Sequence, residues 1–106
     1  MRSLYMGHRY ALSHLDGDKE TVIQFVQRGP LHDPIEGVTN QEVLRSVIDR
    51  VKVLDSEKAW HGNDLILMHL RQAIALHESR ALEMKISKGA ADVEFYETGD
   101  DGHFKA

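Results

Sequence analysis

The stretch from Asn63 to Arg80, NDLILMHLRQAIALHESR, constrains the fold of this chain more than any other. Its apolar residues recur at helical spacing, and they do so on more than one side. Ile66, Leu70, Ala73, Ile74, His77 and Ala81 form one stripe, while Leu67, Ala75 and Leu82 extend the apolar surface sideways. A chain of 106 residues has a shallow core and little to cover such a helix. A large apolar surface left over in a small protein marks an interface. The helix therefore predicts a homo-oligomer.

The rest of the chain is read around this helix. "HRYALSHL", "DGDKE" and "TVIQFVQR" predict a β-hairpin over about 8–28. Tyr10 and Leu12 alternate with polar neighbours, Ile23 and Phe25 share one face, and Asp16-Gly17 makes the turn. "GPLHDPIEGVTN" is a connector punctuated by Pro30 and Pro34. "TNQE" matches a capping box, with Thr39 and Glu42 exchanging bonds with each other's backbone amides. Val43, Leu44, Val47, Ile48 and Val51 follow at helical spacing, so a first helix is expected over about 40–54. Asn63 is the expected cap of the second helix, which runs to about Ile86 and ends before Gly89. The expected class is α+β, with a β-hairpin and then an antiparallel helical hairpin over about 40–86. Together they make one small domain over 1–89, followed by an acidic tail or arm over 90–106.

Composition narrows the function. There is no cysteine, so neither a disulfide framework nor thiolate chemistry is available. No apolar run is long enough to span a membrane, and the start shows no signal-peptide pattern. The net charge is −4. The body is close to neutral, and the excess acid sits in 90–106. No basic stripe matches a nucleic-acid polymer, although a few arginines suffice for a small anion. The seven histidines make no metal site: His69 and His77 are about 12 Å apart along a helix, and no HExxH occurs. No Ser-His-Asp signature, phosphate loop or paired carboxylate points to an enzyme, and no cofactor is implied.

Two side chains are open to two readings. Trp60 either plugs the core over the helix turn or stacks on a base. Arg80 either snorkels over the surface or clamps a phosphate in two-pronged fashion. Glu42, Arg45 and Asp49 read as a solvated, salt-bridged face.

"IQFVQRGP", "GVTNQEVLRSVIDR", Asn63 and "LMHLRQAIALHESRA", in that order, resemble the small phage proteins that counter CBASS and Thoeris defence. These act as sponges for cyclic nucleotide signals in the host cytoplasm. They bind cyclic oligonucleotides or cyclic ADP-ribose isomers without cleaving them. The resemblance covers about 8–89 and is best over 37–82. It implies a ligand pocket using Asn63 and Arg80, with Arg28 after the strand as a further contact. The family places an aromatic at the end of the first helix, where this chain has Leu54, so Trp60 is the substitute stacker. The family's terminal arginine becomes Lys85 or Lys88 in "KISKG". The alternative expectation is a small structural or adaptor protein of a phage, acting through protein contacts.

Overall fold

The structure, a computed structural model, describes residues 1–29 and 33–87. The expected tail over 90–106, the helix stop at Gly89 and the candidate Lys88 lie outside the described residues. The chain divides into two compact units, Met1–Thr39 and Asn40–Ala106. The class is α+β, a three-stranded antiparallel sheet followed by two helices.

The first unit holds β1 (Arg2–Tyr5), β2 (Arg9–Ser13) and β3 (Glu20–Gln24), in that spatial order. The hairpin expected around Asp16-Gly17 forms as β2–β3, with Tyr10 opposite Ile23 and Gly17 at φ +93°. Sequence reading missed β1. Its turn, Met6-Gly7, holds one strong turn residue, Gly7 at φ +85°, and His8 N–H donates to Tyr5 C=O at 2.9 Å. The pairing slips between Ser3 and Tyr5, which breaks the alternation that would have betrayed the strand.

One sheet face carries Tyr10, Ile23 and Phe25, with the Tyr10 and Phe25 rings edge to face at 6.0 Å. The other carries Arg2, opposite Ala11, which is opposite Val22. Ala11 is small and buried, and Arg2 reaches from β1 to the Glu20 carboxylate on β3 at 2.6 Å. That pair is exposed, so its contribution to stability is small.

The connector is not structureless. Gln27 and Ile35 exchange backbone bonds, and Val26 N–H donates to Val38 C=O at 2.9 Å. Gly37 permits this approach, because a Cβ there would stand 2.5 Å from the Gln24 carbonyl oxygen and 2.7 Å from the Val26 nitrogen.

The second unit holds α1 (Asn40–Glu57) and α2 (Asn63–Ser87). α1 begins one residue after Thr39, as the capping sequence predicts, and runs three residues past the expected end. "LDSE" contains no breaker, and Lys58 N–H still donates to Leu54 C=O at 2.9 Å. The buried and half-buried residues of α1 are Gln41, Val43, Leu44, Arg45, Ile48, Val51 and Asp55, a helical stripe with Val43 at its margin. Arg45 meets Glu78 and Asp55 meets Asn63, so the helices run antiparallel.

The stripe that α2 buries is the expected one with a single exchange at its start. Leu67 and Ile74 are buried and Leu70 packs with them against Leu44, Ile48 and Val51, whereas Ile66 is exposed. Leu70, Ala73, Ile74, His77 and Ala81 of the expected stripe are buried or half-buried, and Leu67 takes the place of Ile66. Periodicity placed the inward face from Leu70 onward, and the apolar residues on other sides left only the first turn open between Ile66 and Leu67. Leu65, Met68 and Leu76 form a second apolar stripe on the side away from α1, with Leu76 71% exposed.

Candidate functional site

The turn between the helices is the most organised of the predicted site regions. Asp55, in the last turn of α1, is its hub. The Asp55 Oδ1 accepts from Asn63 Nδ2 at 2.8 Å and from the Trp60 backbone N–H at 3.2 Å. Those two donors, Asn63 first, hold the Asp55 carboxyl below its usual range, because they favour the ionised form. Asn63 N–H also donates to Trp60 C=O at 3.1 Å, closing the turn.

This corrects the expected role of Asn63. α2 starts at Asn63 itself, and the first helical bond runs from Ile66 N–H to Gly62 C=O. Gly62 occupies the cap position, and the Asn63 side chain braces the turn instead of capping the helix. One Asn63 N–H is committed to Asp55. An asparagine amide retains its carbonyl oxygen and a second N–H as further capacity.

Trp60 is no core plug, since it is 55% exposed. Its ring folds back over Gly62 so closely that a Cβ on Gly62 would overlap it. The His61 ring centroid lies 5.2 Å away, tilted by 50°. Glycine at 62 thus seats the indole, and the sequence reading did not single that glycine out. Leu54, next to Asp55, is exposed at the same end of the helical hairpin.

Arg80 is not part of this cluster. At 1.5 Å and 100° per residue it stands about 25 Å from Asn63 along α2 and about 100° away around it. No single small ligand bridges that span within one chain. Arg80 is exposed, near the opposite end of the helical hairpin. Arg28 is also exposed, in the first unit. The structure therefore brings together Leu54, Trp60 and Asn63, and separates Arg80 from them.

A second feature lies on the flank of the helical hairpin. Arg45, Ile48, Asp49 and Lys52 of α1 and Arg71 of α2 line an open groove of about 250 Å³. Arg45 is anchored: Nη2 donates to Glu78 at 3.1 Å and Nη1 lies 3.5 Å from Glu42. The Glu42–Arg45 pair was legible as i, i+3 spacing. The partner on α2, Glu78, was not, because it requires the helix pairing. The solvated face expected here is thus partly an inter-helix ion pair, with both side chains under 20% exposed. Among the described residues no group of three or more metal-ligating side chains gathers, and no helix is long and apolar enough to cross a membrane.

In comparison with known proteins, no protein-family model, curated protein or solved structure matches this chain.

Proposed function

We propose that this chain is a non-catalytic, homo-oligomeric phage sponge. It sequesters a cyclic nucleotide signal of host defence, a cyclic oligonucleotide or a cyclic ADP-ribose isomer, in the host cytoplasm. The residues of the resemblance motivate this reading, and one observation carries it. Trp60 presents an exposed indole on a turn fixed by Asp55 and Asn63. A rigid aromatic beside amide groups suits base stacking and base-edge contact at low entropic cost.

Oligomerisation supplies the missing cation. The midpoint between Asn63 and Arg80 falls between Arg71 and Gln72. Two α2 helices crossing antiparallel there set Arg80 of one copy level with the Trp60–Asn63 turn of the other. The exposed stripe of Leu65, Met68 and Leu76 gives such a crossing an apolar contact. A sponge works by affinity alone. Nanomolar binding needs about −12 kcal/mol, and one charged hydrogen bond contributes only about 1.5–3 kcal/mol. Several contacts from two chains are required.

The test is a thermal-shift screen with cyclic dinucleotides, cyclic trinucleotides and cyclic ADP-ribose isomers, followed by chromatography of recovered ligand. A ligand that binds only the folded state raises the melting temperature. The expected result is a shift with intact ligand recovered, abolished in Arg80→Ala while the oligomer persists. A flat panel overturns the reading. It favours instead a phage adaptor that docks a protein on the exposed apolar stripe of α2.

A further inference from the structure

We propose that the groove between α1 and α2, lined by Arg45, Ile48, Asp49, Lys52 and Arg71, is a separate binding site for a small phosphate ester carrying a free hydroxyl. It lies within one helical hairpin, so it does not depend on the oligomer or on the sponge reading.

Charge is the first argument. Arg45, Lys52 and Arg71 face one acid in the groove, Asp49. Arg45 is largely neutralised by Glu78 and Glu42 behind it. Lys52 and Arg71 make no hydrogen bond or ion pair with another described residue, and neither does Asp49. The open positive charge thus belongs to two side chains that approach from different helices. Arg71 offers a planar fork that fits two phosphate oxygens, and Lys52 offers a mobile point charge.

Preorganisation is the second argument. Arg45 is pinned between two carboxylates and Ile48 is 9% exposed, so that part of the groove is already ordered before any ligand arrives. Ordering it then adds little to the cost of binding.

Size and Asp49 decide the ligand class. Pockets for drug-sized molecules begin near 300 Å³. A groove of about 250 Å³ suits a phosphate with a small sugar and not a whole cyclic dinucleotide. It also offers too few cations for a polymer backbone. Asp49 would repel a bare anion, but an ionised carboxylate only accepts hydrogen bonds. A hydroxyl next to the phosphate satisfies it.

Ribose 5-phosphate is the probe, titrated into the full chain at low salt and followed by backbone amide NMR. Inorganic phosphate and ribose are the comparators. Saturable shifts are expected at residues 45–52 and around Arg71 with ribose 5-phosphate, weaker ones with phosphate, and none with ribose. Arg71→Gln and Lys52→Gln should each weaken binding about tenfold. Asp49→Asn should erase the preference over phosphate, and Arg80→Ala should change nothing. The charge substitutions lie on exposed positions, so unchanged helical circular dichroism is expected. No saturable shift in the groove, or equal affinity in Arg71→Gln and the parent, overturns the proposal. Phosphate binding as tightly as ribose 5-phosphate overturns the assignment of the hydroxyl to Asp49.

Discussion

At the scale of single residues, the turn between α1 and α2 depends on one carboxylate. Asp55 gathers two donors, one from a side chain and one from the backbone, and both prefer its ionised form. Its folded-state pKa lies below the ordinary aspartate value that it has in the unfolded chain. The sign follows from linkage. The contribution is fully present above the unfolded value and is lost as pH falls through the lowered folded value. Asp55→Ala should lower the melting temperature at neutral pH. The difference from the parent should shrink as pH drops through the acidic range. Melting curves of the two proteins across that range are the check. A difference that stays constant down to strong acid would assign the effect to packing and not to the ionised hub. The same substitution frees the turn that seats Trp60, so ligand binding at the turn should weaken with it.

At the scale of elements, the helical hairpin rests on a small core. Ile48, Leu67 and Ile74 are buried, and Ile74 has no exposed surface at all. Ile74→Ala leaves a cavity that two helices joined by a short turn cannot easily close. A loss of about 3 kcal/mol is expected. Denaturant unfolding measures it, and a loss below about 1 kcal/mol would mean that α2 rotates to fill the gap with another apolar face. That alternative is a real one, because α2 has apolar residues to spare. The same surplus limited what sequence could settle. The start of α1 was legible because "TNQE" is a local signal, and the turn at Asp16-Gly17 for the same reason. The inward face of α1 was legible as a stripe. The inward face of α2 was legible from Leu70 to Ala81, and only its first turn was not, since Leu67 and Ile66 compete as equals until α1 is in place. β1 escaped notice because its pairing slips and its turn relies on one glycine. In the candidate site, the grouping of Leu54, Trp60 and Asn63 follows from their closeness in sequence. The bond from Asn63 to Asp55 is tertiary and was hidden. So was the groove, although Arg45, Asp49 and Lys52 already stood at i, i+4, i+7.

At the scale of the whole molecule, the open question is what covers the outer stripe of α2. Leu65, Met68 and Leu76 are 55%, 44% and 71% exposed. From Leu65 to Leu76 the stripe runs about 17 Å along a helix about 11 Å wide, or about 180 Å² per copy. Specific interfaces need about 800 Å² per partner. Pairing through α2 alone would therefore be weak and concentration-dependent. A stable assembly must recruit more apolar surface, such as Val53 and Leu54 of α1, both exposed. Sedimentation of the parent should show dimers or larger species at micromolar concentration. Replacing Leu65 and Leu76 together by lysine puts charge on both ends of the strip and should leave monomers. Helical content should be unchanged, because neither side chain is buried in the hairpin. If the parent sediments as a monomer throughout, Arg80 and Trp60 never share a ligand, and the sponge reading loses its cation. If the double variant still assembles, the contact lies elsewhere than on the outer stripe of α2.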